Sequence, residues 1–175
     1  NHLTGQADAA YDAAEIRPFK EGRTQENPTL AKNFQAAQTL LHQLKFKQKS
    51  PAELVDIDRF AQYLAIADVL EAYHGIGWHN VRFYYNPITS KLEPIGYDGY
   101  SADEEVLGDR TFLGEGLFNQ QHGEDRISLQ LFKNTAFMEY YTKYIVQYSD
   151  KNYFENYMRS VDEAMRQRQD LLQID

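Results

Sequence analysis

Between Leu30 and Leu44 the apolar residues Leu30, Phe34, Ala37, Leu41 and Leu44 return at spacings of four and three, the period of one helix face. Asn27-Pro28 supplies a capping side chain and a proline suited to the first helical position. A helix is therefore predicted from there to the basic run Lys45 to Lys49, whose charge favours the negative end of the helix dipole. Ser50-Pro51-Ala52-Glu53 has the form of a capping box opening a short turn, and Asp56 offers a cap for a second helix over Ile57 to Tyr73. In that helix Ile57, Phe60, Leu64, Ala67 and Leu70 make one apolar face, and Tyr63, Ile66 and Val69 line another. A helix apolar over most of its circumference is expected to be buried and central. Upstream, Ala-rich Asp8 to Ile16 is a candidate short helix, closed by Arg17-Pro18 and a Lys20-Glu21-Gly22 turn.

The period changes at His74-Gly75-Ile76-Gly77-Trp78-His79-Asn80, where two glycines stop the helix. Val81 to Tyr85 and Leu92 to Tyr97 are β-prone runs on either side of Asn86-Pro87-Ile88-Thr89-Ser90, which predicts a hairpin with a loop of several residues. Pro94 marks the second arm as an edge or a late start. Asp98 to Asp125, acidic and rich in glycine, shows no sustained period and reads as a long loop of functional or mobile character. Helical spacing resumes over Ile127 to Phe132, over Phe137 to Tyr148 and over Phe154 to Leu172, and the tyrosine stripe there reads as core or helix-packing surface. The fold class expected is mainly α with one small β-hairpin, α+β.

Composition narrows the function classes. The 175 residues suit one domain, or one piece of one, and a hydrophobic share of 42% with 13 Tyr and 10 Phe argues for a packed core over disorder. A net charge of -8, without a basic stretch interleaved with aromatics, argues against nucleic acid as a partner. No apolar run is long enough to span a bilayer. With no cysteine, disulfides, thiolate nucleophiles and Cys-based zinc sites are excluded, while the compartment stays open. The start at Asn1 is expected to mark a piece processed or excised from something larger.

The chemistry-bearing stretch is Tyr73 to Ser101. With the hairpin turn centred on Thr89, Tyr85 falls opposite Glu93, Phe83 opposite Ile95, Val81 opposite Tyr97 and Asn80 opposite Asp98. Directly opposed residues hold their Cβ atoms roughly 4.5–5.5 Å apart, from where an amide oxygen and a carboxylate can share one hard divalent cation. An Asn and an Asp can equally flank a hairpin as plain turn formers. His74 and His79 with Asp98 suggest a transition-metal hydrolase instead, although their separation across a glycine-rich break is not a usual zinc spacing. Gly75-Ile76-Gly77 lacks a third glycine at Asn80 and follows a helix where a phosphate-binding loop follows a strand.

Val55-Asp56-Ile57-Asp58-Arg59-Phe60-Ala61-Gln62-Tyr63-Leu64-Ala65-Ile66 resembles the helix preceding the active site in the CotH kinase family, the spore-coat protein H-like atypical kinases. Trp78-His79-Asn80-Val81-Arg82-Phe83-Tyr84-Tyr85-Asn86-Pro87 and Lys91-Leu92-Glu93-Pro94-Ile95-Gly96-Tyr97-Asp98 resemble the same family's active-site signature. The resemblance is strong over Asp56 to Asp98 and looser beyond. It implies a divergent protein-kinase-like fold that moves phosphate from ATP to Ser or Thr of a protein substrate. Asn80 and Asp98 fall on its positions for Mg2+ or Mn2+, and Trp78 and His79 shape the nucleotide site.

The family places an aspartate near the position of His74, so His74 is the candidate base here; an ordinary imidazole, with a pKa of about 6.5, is mostly neutral at pH 7. The family's second acid after the hairpin is missing, since Asp98-Gly99 leads to Tyr100, with Asp103, Glu104 and Glu105 nearby. Nothing before Asp56 reads as the strand-rich lobe that carries a phosphate-binding Lys. Residues 1–175 are therefore expected to be one C-lobe-like piece without its N-terminal lobe, inactive alone, with an extracytoplasmic or surface-associated bacterial parent favoured. The rival expectation is a non-catalytic, pseudokinase-like module that binds a protein or cell-surface partner through the acidic loop.

Overall fold

The computed structural model describes residues 13–70, 72–76, 80–99 and 127–172. Its first helices are Glu21–Glu26 (α1), Pro28–Lys45 (α2), Pro51–Leu54 (α3) and Ile57–Val69 (α4). A 3-10 turn follows at Tyr73–Ile76, then strands Arg82–Asn86 (β1) and Lys91–Ile95 (β2). Ile127–Phe132 (α5), Thr135–Tyr148 (α6) and Lys151–Leu172 (α7) complete the described elements. The described residues are mostly helical, with one two-stranded antiparallel sheet among them.

The helix starts follow local chemistry. The Asn27 side chain accepts from the backbone N–H of Thr29 and Leu30 at 3.0 and 3.1 Å. Asp56 and Asn134 do the same for α4 and α6, accepting from Arg59 N–H at 3.1 Å and Phe137 N–H at 3.0 Å. Each cap satisfies donors that the first turn leaves without an intrahelical partner. At the far end of α2, Gln48 N–H returns to Gln43 O at 2.8 Å and Lys47 N–H to Leu44 O at 3.2 Å. That is a Schellman closure, with Lys47 at φ 52 in the left-handed position that glycine usually occupies.

Two helix boundaries differ from expectation. Glu21 and Gly22 open a helix instead of a turn, because Thr24 closes back on Lys20 O through both its N–H and its hydroxyl at 2.9 Å. Helix α4 stops at Val69, ahead of the expected Tyr73, where Ala72 N–H returns to Ala67 O at 2.8 Å and wraps the chain off the axis. The candidate helix at Asp8 to Ile16 lies mostly outside the described residues, as does all of the Asp98 to Asp125 loop beyond Gly99.

The core forms where α4 lies along α6. Phe60, Ala61, Leu64 and Ala65 face Phe137, Tyr141 and Tyr144, with Leu44, Leu54, Val55, Leu92, Leu131 and Phe132 closing the cluster. Phe132 meets Phe137 and Tyr141 edge-on at 5.2 and 4.9 Å, the arrangement that ring quadrupoles favour. The hairpin joins this core through Leu92, fully buried, whose carbonyl accepts from Asp56 N–H at 2.8 Å. Among the described residues no helix is long and apolar enough to cross a membrane.

Candidate functional site

The hairpin register differs by one residue from the sequence expectation. Arg82 pairs with Ile95, Phe83 with Pro94, Tyr84 with Glu93, Tyr85 with Leu92 and Asn86 with Lys91. The cause is the loop: the Asn86 side chain accepts from Ile88 N–H at 2.9 Å, and Ser90 takes φ 54, so Pro87 to Ser90 form a four-residue connection with no single central residue. A one-residue slip in a regular ladder turns a pair of side chains to opposite faces. Asn80 and Asp98 are therefore not a cross-strand pair, and both lie beyond the ladder, which ends at Arg82 and Ile95.

What holds Asp98 is a different contact. The 3-10 turn packs backbone to backbone on the chain after β2: a Cβ built on Gly75 would stand 2.1 Å from Tyr97 O and 3.3 Å from Asp98 O. Only glycine permits that approach. The Tyr63 hydroxyl donates to Gly75 O at 3.1 Å and ties the turn to α4. Burial raises the pKa of that phenol. A Cβ built on Gly99 would stand 3.8 Å from the Ala72 Cβ, an ordinary contact distance. Asp98 itself is exposed, at φ 51, a conformation that Asp tolerates better than most residues, and Asn80 is half-buried just before β1.

His74 lies in the 3-10 turn beside Gly75, so the backbone places its residue next to the Tyr97–Asp98 segment; its side chain is outside the described set, as are Trp78 and His79 altogether. Among the described residues no group of three or more His, Cys, Asp or Glu side chains gathers as a metal site. The donors of Asn80 and Asp98, an amide oxygen and a carboxylate, are of the hard kind that Mg2+ or Mn2+ accepts.

Sequence reading missed several polar groups. Glu93, 8% exposed on β2, accepts from Asn86 Nδ2 at 2.7 Å and faces Arg59 Nε at 3.4 Å. The buried Asp68 accepts from the Tyr141 hydroxyl at the last turn of α4, where the helix dipole disfavours an acid. An acid on an apolar stripe at a helix C-terminus was the available signal for Asp68. Arg82 stacks on the Tyr97 ring, its guanidinium 4.7 Å from the centroid, and braces the segment leading to Asp98.

Of the second apolar face of α4, Tyr63 packs against the core cluster, while Ile66 and Val69 are not part of it. Tyr63, Ile66, Val69 and Leu70 line a cleft of about 420 Å³ whose opposite wall is Tyr148 of α6 with Tyr153, Phe154 and Tyr157 of α7, and whose rim includes Arg59, Gln62 and Pro94. Compared with protein-family models, curated proteins and solved structures, the chain finds no match in any of the three.

Proposed function

We propose that this chain is the C-lobe-like part of a metal-dependent phosphotransferase of the CotH type, acting from ATP on Ser or Thr of a protein. The observation that carries the reading is the seat of Gly75 against Tyr97 and Asp98, which brings the His74 turn and the acid after the hairpin together. In this reading the Asn80 amide and the Asp98 carboxylate would hold Mg2+ or Mn2+. The metal supplies neutralisation of phosphate charge when bound. His74 takes the proton from the attacking hydroxyl as its oxygen bonds to the γ-phosphorus and ADP departs with the electrons of the broken P–O bond. Tyr63 and Arg82 act on positions: one holds the turn through Gly75 O, the other holds Tyr97.

Mn2+ binding to the chain, followed by paramagnetic resonance, tests the site without requiring activity. Asn80→Ala and Asp98→Ala are each expected to weaken it at least about tenfold, as loss of one of few protein ligands does. In the longer protein with ATP and a casein-like acceptor, Asp98→Ala is expected to abolish phosphate incorporation. Equal Mn2+ affinity in the native chain and both variants would remove the assignment.

A further inference from the structure

Helix α7 is the longest of the described elements, and from Lys151 to Gln169 every side chain but that of Val161, which is half-buried, is exposed. A helix in a folded protein draws most of its stability from packing an apolar face, and this one carries such a face. Phe154, Met158, Val161 and Met165 recur at spacings of four, three and four, the period of a coiled-coil seam. Arg168 takes the next seam position and Leu172 the one after it. Phe154, Met158 and Met165 are 45, 44 and 54% exposed, so the seam meets water along its length. The first turns of the helix also supply Tyr153, Phe154 and Tyr157 to the wall of the cleft against α4.

The charges on α7 indicate what covers the seam. With a net charge of -8, two copies of the chain repel each other over much of their surface. Helix α7 is different: Lys151, Arg159, Arg166 and Arg168 offset Glu155, Asp162, Glu163 and Asp170. Arg168 is the one charged residue on the seam, and a parallel pairing in register would set it against its own counterpart. An antiparallel pairing with Val161 opposite Met165 brings Arg168 level with Met158 of the second copy, between Glu155 and Asp162, which flank the seam one turn to either side. Glu155 is open to this exchange, because its 3.6 Å pair with Lys151 is solvent-exposed and correspondingly weak. The same alignment brings Leu172, the last residue of the helix, level with Phe154 at the cleft. We propose that α7 is a self-association surface: two copies of this chain pair antiparallel along it, with Arg168 of each held between Glu155 and Asp162 of the other. The pairing uses none of His74, Asn80 and Asp98, so it stands or falls apart from the phosphotransfer reading.

Sedimentation equilibrium of the chain over a range of concentrations tests it, and a dimer that dissociates on dilution is expected. Met165→Glu, at an exposed seam position, is expected to leave a monomer over the same range with the circular dichroism spectrum unchanged. Exchanging charges tests the orientation. Arg168→Glu in one chain, and Glu155→Arg with Asp162→Arg in another, are each expected to weaken self-association at least about tenfold, because like charges then meet across the seam. Mixing the two variant chains is expected to restore the pairing, since every seam charge again lies between two of opposite sign. A monomer at all concentrations up to about 1 mM, a dimer that survives Met165→Glu, or variant chains that associate as well alone as when mixed would each overturn the proposal.

Discussion

The two apolar faces of α4 are built from similar residues, yet one is sealed by α6 and the other stands open under the first turns of α7. On the sealed side Phe60, Ala61, Leu64 and Ala65 meet aromatic rings, and the polar atoms that go in with them are paired: the Tyr141 hydroxyl on Asp68, and the Tyr144 hydroxyl between Asp58 and Gln62. On the open side Tyr63 is half-buried, Leu70 lies in the cleft instead of with Phe60 and Leu64 as its spacing suggested and is 54% exposed, and α7 contributes Tyr157 at 56% exposure. The difference teaches that a period in the sequence identifies an apolar face but not what covers it. Coverage is decided by where the next helix turns, and here the chain turns away at Val69 on one side and at Ser149 on the other.

The sharpest way to break the comparison is truncation on each face. Phe137→Ala empties a fully buried ring site with neighbours Phe132 and Tyr141, and is expected to cost roughly 3–5 kcal/mol of stability in urea unfolding. Val69→Ala, on the open face, is expected to cost about 1 kcal/mol or less, because its site is half-exposed and leaves no closed cavity. Equal losses at the two positions would mean that the cleft is as tightly filled as the core.

A second test falls where the open face reaches the candidate site. Gly75→Ala puts a methyl carbon 2.1 Å from the carbonyl oxygen of Tyr97, a backbone atom that cannot swing aside. The turn or the post-hairpin segment must move, at an expected cost of about 1–3 kcal/mol. Mn2+ binding is expected to fall together with stability, while Gly22→Ala, with open space around its Cβ position in α1, changes neither by a comparable amount.

Much of this fold was legible because its signals are local. Asn27, Ser50 and Asp56 announce helix starts, and the cap bonds stand where those residues put them. The hairpin was legible in its arms and not in its register, since a four-residue loop and a five-residue loop share the same Asn-Pro start and only the Asn86 side chain and the Ser90 backbone choose between them. The end of α4 was misplaced because Leu70 to Tyr73 keep the helical period in sequence while the Ala72 to Ala67 bond has already closed the helix. The contact of Gly75 with Tyr97 was not legible at all. It joins residues more than twenty positions apart, and a glycine before a break looks the same whether it caps a helix or admits a neighbouring backbone.

The finest probe of the open face is at Tyr63, which lines the cleft with its ring and holds Gly75 O with its hydroxyl. Tyr63→Phe keeps the ring and deletes one hydrogen bond, for an expected loss of about 0.5–1.5 kcal/mol near neutral pH. The pH dependence separates this from a packing defect. Burial raises the Tyr63 pKa above that of an unfolded tyrosine, about 10, so between the two values the unfolded chain binds fewer protons than the native one. Stability from this group is complete below about pH 10 and is lost as pH rises through the folded value. The native chain should therefore show a decline in urea midpoint above about pH 10 that is shallower in Tyr63→Phe, with Tyr148, raised for the same reason, supplying what remains. Parallel curves for the two proteins would show that the phenol is solvated, and that the turn bearing His74 is held without it.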